Sequence, residues 1–337
     1  MLSQGRNALL QDVVAVSSAM VEVLRSVQRY VTAHTLLVVT GAPGTGKGTL
    51  ARLVHVWGAR AGALVCCTTG QFEPEVVNAE IFGEERRVPA AIEHRAGLLE
   101  EAGQGTLLLD DFEQLPRSTQ TLLLQAATRG AYRPLDARRD LPLRCRLIIG
   151  LRELPDVLVE RGVLTAEVRL HLGLSVIRLP PLDERREDIP AIACRFLEHC
   201  GRVTGVVGPT RFAPDALEAL QAAMWPGNLP HLRAVVREAY LRAQGRAVLR
   251  VDDLANLVQF PVRFERRGDP AANGRAIRFA LDLTQGRARD AARLLRTAPS
   301  TIYRYQGTTP APRAQNARVS DSAAPITQSD TSSVSEL

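Results

Sequence analysis

The chain has 337 residues, 45% of them hydrophobic, and a formal charge of +6, enough for two or three domains with ordinary cores. No apolar run approaches the ~18 residues that cross a bilayer, and the opening MLSQGRNALLQDVV lacks the basic-then-apolar pattern of a secretory signal. A soluble cytoplasmic protein with no membrane partner is expected. Five cysteines (Cys66, Cys67, Cys145, Cys194 and Cys200) without C-x-x-C spacing read as free thiols in the core rather than disulfides or a zinc site.

The charge is uneven. Of the 42 basic residues, Lys47 is the sole lysine. A chain that uses arginine everywhere else keeps a compact ammonium where a planar fork does not fit. Residues 273–306 hold seven arginines against Asp282 and Asp290, a net +5, the kind of short basic module that attracts a phosphate backbone.

In chain order, HTLLVVTG (34–41) reads as a buried strand, followed by a glycine loop and a helix beginning near Lys47. In the G-x-x-x-x-G-K pattern, backbone N–H groups close around phosphate oxygens and the helix presents its positive end. Gly41, Ala42, Pro43, Gly44, Thr45, Gly46, Lys47, Gly48 and Thr49 are therefore candidate nucleotide-binding residues. Mg²⁺ is commonly held by Ser or Thr directly after the lysine; here that position is Gly48, with Thr49 next. GTLLLDDF (105–112) is a second strand ending in acids. Asp110 is a candidate Mg²⁺ ligand together with Thr49, and Asp111 a candidate to orient attacking water; the plainer reading is a pair of helix-capping acids. PRSTQTLLLQAATR (116–129) is helical, and LRCRLIIGL (143–151) and LSVIRLPPL (174–182) are the third and fourth strands. Strands alternating with helices imply an α/β fold with a parallel sheet covered on both faces.

After RLPPLDERREDIP (178–190) strands give out, and helices are expected near 188–200, 213–223, 230–244 and 251–258. FPVRFERRGDPAANG (260–274) has the composition of a linker, and the stretch from Gly307 onward reads as a disordered tail. The expected units are 1–182 (α/β nucleotide-binding), 183–260 (helical lid), 261–272 (linker), 273–306 (a small all-α DNA-binding domain) and 307–337 (tail).

TGAPGTGKGTLARLVH (40–55), AEIFGEE (79–85), GLLEEAGQGTLLLDDFEQLPRSTQTLLLQA (97–126), RLPPLDERREDIP and WPGNLPHLRAVV (225–236) together resemble the AAA+ P-loop NTPase domain of sigma-54-dependent transcriptional activators. GAPGTGKGT alone also resembles adenylate kinase, a reading that leaves the later landmarks unexplained. The resemblance implies ATP or ADP with Mg²⁺ as ligands, a homo-oligomer, DNA as partner, and RNA polymerase or its sigma factor as a second partner.

The departures fall on the working parts. The family's sigma-gripping G-A-F-T-G-A loop is replaced by RRVPAAIEHRAG (86–97). The acidic pair is Asp110-Asp111 rather than Asp-Glu, and a carboxylate misplaced by an ångström can cost ~100-fold in rate. IIGLRELP (148–155) lacks the Asn that senses the terminal phosphate. Thr165 and His171 stand where two arginines reach a neighbouring subunit in the family, with Arg169 nearby as a partial substitute. Pro230 replaces the lid arginine. RFALDLTQGRARDAARLLRTAPSTIYRYQ (278–306) resembles the Fis-type helix-turn-helix that ends these activators. Ala288–Leu295 would be its first helix and Pro299–Tyr305 the recognition helix. Ser300, Thr301, Tyr303 and Arg304 would face a major groove, and Arg287 and Arg289 phosphates. Ala291, Leu294, Leu295 and Ile302 would form its core, and Arg296-Thr297 replaces the usual glycine turn.

The sequence thus predicts a DNA-binding regulator of this family that binds ATP or ADP, with weak or absent hydrolysis and without sigma-54 remodelling. Two alternatives stay open: a working ATP-hydrolysing sigma-54 activator, and a degenerate AAA+ interaction protein.

Overall fold

The structure is a computed structural model that describes residues 13–306, apart from 32–35, 89–90, 174, 206, 256, 259–269, 285 and 296. The expected tail, most of the linker and Arg296 of the turn lie outside the described residues.

Helix α1 (Ser18–Tyr30) starts at Ser17, whose side chain accepts from Met20 N, and buries Met20, Val23 and Val27 at helical spacing. Strand β1 (Leu37–Thr40) is buried at all four positions and feeds the glycine loop. Helix α2 (Lys47–Trp57) leaves that loop from Gly46 at φ 111°. Then come β2 (Leu64–Thr68), α3 (Val77–Phe82), the hairpin β3 (Glu84–Val88) and β4 (Ala91–Arg95), and α4 (Leu98–Glu101). Strand β5 (Thr106–Asp110) precedes α5 (Arg117–Arg129), which Gly130 ends at φ 69°. A short hairpin, β6 (Ala131–Tyr132) and β7 (Leu141–Pro142), leads to β8 (Arg146–Leu151), α6 (Pro155–Glu160), α7 (Ala166–Leu172) and β9 (Val176–Arg178).

The main sheet is parallel, in the order β2-β5-β8-β1-β9. Its central strands face two cores. Val38, Leu107, Leu109, Leu147 and Ile149 pack into one, while Leu37, Val39, Leu108 and Ile148 pack into the other. Burial on both faces is why these strands read as unbroken apolar runs. The expected sheet is present with one addition. Edge strand β2 is missing from the four strands expected, because LVCCT is short, polar at one end and only partly buried.

Beyond β9, α8 (Ile189–Val203), β10 (Arg211–Phe212), α9 (Pro214–Ala222), α10 (Asn228–Arg242) and β11 (Val248–Leu249) enclose a third core around Trp225 and Tyr240. Two expectations are corrected here. Strands do not vanish, since β10 and β11 pair in parallel, and the helix expected at 251–258 is one 3-10 turn, Val251–Leu254. Asp253 accepts from Arg250 N at 2.9 Å in a capping box that starts the turn, and Ala255, at φ −55° and ψ 130°, takes the chain out of helical geometry. Finally α11 (Pro270–Leu283), α12 (Ala288–Leu294) and α13 (Pro299–Gln306) form a small bundle. Helix α11 starts three residues before the expected boundary at 273, because Pro270 suits the first turn of a helix.

Candidate functional site

Three strands of the parallel sheet deliver the site from their C-terminal ends, the edge at which open α/β sheets bind ligands. Strand β8 lies between β5 and β1. The loop after β1 is tied to β8 directly, Gly41 N donating to Leu151 O at 3.0 Å.

Within the loop, Lys47 is 4% exposed. Its Nζ donates to Gly41 O at 2.8 Å and stands 3.3 Å from Asp110 Oδ1. Thr45 Oγ1 donates to Ala42 O at 2.8 Å, and Thr45 O accepts from Arg185 Nη2 at 2.6 Å. The helical region clamps the loop from above. Asn228 donates to Pro43 O at 2.9 Å while accepting from Leu182 N at 2.8 Å, and Leu229 N donates to Gly44 O at 3.1 Å. Gly44, at φ 79°, is required here. A Cβ there would sit 2.7 Å from Pro230 Cδ and 3.0 Å from Gly227 O. Pro230 is therefore packed on the loop as an apolar lid.

The chain thus places a helix N-terminus, with its unsatisfied N–H groups, and one buried ammonium beside a concave glycine loop, an arrangement made for anions. Gly48 opens onto free space. Thr49, about 100° further round the helix, is exposed.

At the other side of the site the charges pair with one another. Asp111 sits in the left-handed region (φ 59°, ψ 37°), uncommon for a residue with a Cβ, and its N donates to Asp110 Oδ1 at 3.0 Å. Arg152, the first residue after β8, forks onto Asp111. Its Nε donates to Oδ1 at 2.9 Å and its Nη2 to Oδ2 at 2.8 Å. Arg152 N also donates to Glu113 Oε1 at 3.3 Å. The hydrogen bonds from Arg152, with lesser help from Arg152 and Lys47 charge, hold the Asp111 carboxyl below the ordinary range. Burial pushes Glu113 up. Gly150 is the residue that lets β8 pass, since a Cβ there would run into the Asp110 carboxylate.

Arg152 was not among the expected site residues. The only sequence signal was its place at the end of a central strand. Asn228 and Arg185 also went unmarked, both being distant in sequence from the loop they bind.

Other expected residues are placed as follows. Arg169 is tied within its own chain, to Asp156 Oδ1 at 2.6 Å and Gly173 O at 3.2 Å. Thr165 caps α7 through Val168 N. The hairpin β3–β4 occupies the segment of RRVPAAIEHRAG, its base held by Leu135 N donating to Gly83 O and Glu85 N to Leu135 O, both 2.9 Å. Ala291, Leu295 and Ile302 are buried together as expected, and nothing is described of the Leu294 side chain.

Among the candidate DNA contacts, Arg289, Ser300 and Arg304 are exposed and Thr301 is half-buried. Two differ from expectation. Tyr303 is half-buried and packs against the small bundle's core, which leaves less of its ring for a groove. Arg287 pairs with Asp215 Oδ2 of α9 at 2.6 Å and with Asp290 at 3.4 Å, so its guanidinium is engaged rather than free. All five cysteines are free. No group of metal-ligating side chains occurs among the described residues, and none of their helices is long and apolar enough to cross a membrane.

Comparison with known proteins decides the family. Residues 13–179 match the Sigma-54 interaction domain and 183–266 the AAA+ ATPase lid domain. Its AAA+ module belongs to the sigma-54 activator family. The DNA-binding transcriptional regulator NtrC of Rhizobium meliloti (strain 1021) is 30% identical over 223 residues, 66% of this chain and 46% of the relative. NtrC of Escherichia coli (strain K12) is 28% identical over 337 residues, covering 89% and 71%. The chain thus spans about half the length of the first of these curated relatives. In fold it resembles NtrX from Brucella abortus, with a TM-score of 0.68 at 24% identity over 87% of this chain and 68% of that one. The same NtrX has been crystallised with ADP and with ATP. The sigma-54 activator module here is an α/β P-loop NTPase with a helical lid.

Proposed function

We propose that this chain is a DNA-binding transcriptional regulator whose sigma-54 activator module binds ATP or ADP with Mg²⁺ but hydrolyses ATP weakly or not at all, and does not remodel sigma-54. The observation that carries the reading is the contrast within one site. The phosphate-binding loop keeps a buried ammonium and open amides, while Asp111, which would orient the attacking water, has both carboxylate oxygens taken by Arg152.

The residues fit the ligand. Lys47 would exchange Gly41 O for phosphate oxygens, and the amides of residues 44–48 would close around them. Asp110, partly exposed at the end of β5, suits Mg²⁺, which asks for one or two carboxylates and keeps several waters. Gly48 offers no hydroxyl, so any help from Thr49 comes from further round the helix. A fold relative crystallised with both nucleotides adds support. An oligomer is the family's habit, yet Arg169, the remaining candidate to reach a neighbour's nucleotide, is held by Asp156. A trans arginine is worth ~10³–10⁵ in turnover in related NTPases.

The C-terminal bundle supports the DNA-binding part through exposed Arg289, Ser300 and Arg304 on helices α12 and α13. The test is one titration series. Wild type should give heat with ATP and ADP plus Mg²⁺, with turnover far below ~1 per second, at the bottom of the usual enzyme range. Genomic DNA fragments should bind with strong salt dependence, and Arg304→Ala should cost ~10-fold or more. Rapid turnover abolished by Lys47→Ala would refute the weak-hydrolysis reading.

The reading as a working sigma-54 activator has one observation in its favour. A hairpin, β3–β4, still stands in the place of the sigma-gripping loop. Sigma-54-dependent transcription driven by ATP would establish it.

A further inference from the structure

We propose that Arg287 and Arg293 form a phosphate-binding strip on helix α12, and that the lid covers it with two carboxylates, Asp215 and Asp252, so that lid and DNA backbone compete for the same guanidinium groups. This rests on the DNA-binding reading above and adds to it two backbone contacts and an internal competitor for them.

The strip is a chain of alternating charge. Arg287 Nη2 stands 2.6 Å from Asp215 Oδ2, and its Nε 3.4 Å from Asp290 Oδ2. Arg293 Nη1 stands 3.7 Å from Asp290 Oδ1 and 3.0 Å from Asp252 Oδ1. Asp290 belongs to α12 itself and moves with the two arginines. The outer carboxylates belong to the lid, Asp215 to the first turn of α9 and Asp252 to the turn Val251–Leu254. In a helix-turn-helix, the helix before the recognition helix crosses the DNA backbone. Arg287 immediately precedes α12 and Arg293 lies in its last turn, so both ends of the crossing helix carry a cation. A guanidinium fork takes carboxylate and phosphate in the same geometry. The two lid acids stand in for phosphates.

The contact is weak enough to exchange. Lid and bundle keep separate apolar cores, one around Trp225 and Tyr240 and the other around Ala291 and Ile302. Helix α11 also packs against α9, yet the paired cations stay open to water, the Arg287 side chain 51% exposed and that of Arg293 60%. Ion pairs of this kind each bias an equilibrium by ~5-fold or less. Asp215 Oδ1 is buried with no hydrogen-bond partner among the described residues, a desolvated oxygen that water would satisfy on release. A DNA backbone offers the same arginines a row of phosphates and gains from the counterions it sheds. It is therefore the stronger partner once it arrives.

Backbone contacts carry no sequence information, so a short mixed-sequence DNA duplex, titrated by fluorescence anisotropy across a salt series, tests the competition. Four proteins complete a cycle: wild type, Asp215→Asn with Asp252→Asn, Arg287→Ala with Arg293→Ala, and all four changes together, with thermal melts confirming folding. Freed from the lid, the arginines should bind DNA ~5-fold more tightly in the aspartate variant. The arginine variant should bind more weakly, and its slope of log affinity against log salt should be shallower by ~2, one for each lost phosphate contact. In the arginine background the aspartate changes should bring only a small part of the gain, since the acids then act through general charge alone. An aspartate variant no tighter than wild type, a gain that persists in full without the arginines, or an unchanged slope in the arginine variant overturns the assignment while leaving DNA binding intact. If the fourfold variant does not fold, Asp252→Asn and Arg293→Ala, singly and together, decide the question at the more exposed pair. Failure of both wild type and the aspartate variant to bind DNA refutes the DNA-binding reading itself, and this assignment with it.

Discussion

The two sides of the nucleotide site solve the problem of buried polarity differently. On the side of β1 and α2, the polar groups are mostly backbone, and the one cation, Lys47, rests on a carbonyl that it can leave. On the side of β5 and β8, the polar groups are charged side chains already matched to each other, Arg152 against Asp111 and Glu113. Amides with no partner wait for an anion; a carboxylate with a bidentate arginine has its partner. The same sheet edge therefore offers a receptive half and an occupied half, and the division falls between binding and turnover.

The largest expected effect breaks the receptive half. Lys47→Ala should weaken both nucleotides in calorimetry, ATP by ~100-fold or more and ADP somewhat less, since it removes charge-assisted contacts to the β- and γ-phosphates. Loss of both nucleotides with the fold intact would show that the receptive half carries the binding. Next come changes to the clamp above the loop. Asn228→Ala strands Leu182 N and Pro43 O at a buried position and should lower unfolding free energy by about 2–3 kcal/mol in urea titration. Gly44→Ala forces a Cβ onto Pro230 and Gly227 O at positive φ. It should cost about 2 kcal/mol in the same measurement, from backbone strain and overpacking.

The smallest effect tests the occupied half through pH. The Asp111 carboxyl titrates below the ordinary aspartate value of 3.8, chiefly because of the Arg152 hydrogen bonds. Its pairing therefore contributes fully above that value and is lost as pH falls through the lowered one. The stability gap between wild type and Asp111→Asn should be under ~1 kcal/mol, as for partly exposed pairs. It should hold steady from pH 7 to about 4 and close only below that. A gap that closes between pH 6 and 5 would show that Arg152 does not hold the carboxylate.

Much of this was legible in the sequence where local chemistry decides structure. The phosphate loop announces itself through glycines at fixed spacing between a buried strand and a helix, and β5 through an apolar run ending in acids. Helices α12 and α13 were readable from alanine and leucine spacing and from Pro299 at a helix start. What was not legible came from contacts between distant residues. Nothing near IIGLRELP tells that Arg152 will fold onto Asp111, 41 residues earlier. Likewise Arg287 looks like a phosphate contact until α9 brings Asp215 against it. Strand β2 was missed because an edge strand is covered less completely and carries a weaker pattern. The turn at Val251–Leu254 looks helical from its apolar spacing and even carries a capping box, yet the chain turns extended at Ala255.

The resting partners of Lys47 carry a consequence of their own. By bridging Gly41 O and Asp110, the ammonium fastens the mouth of the loop to β5 before any phosphate arrives. Incoming ligand must trade for contacts already made, so measured affinity is the difference between two good situations. Replacing this lysine should therefore soften the ligand-free protein as well as blind it. A descendant that no longer met nucleotide would still have a mechanical reason to keep its solitary lysine.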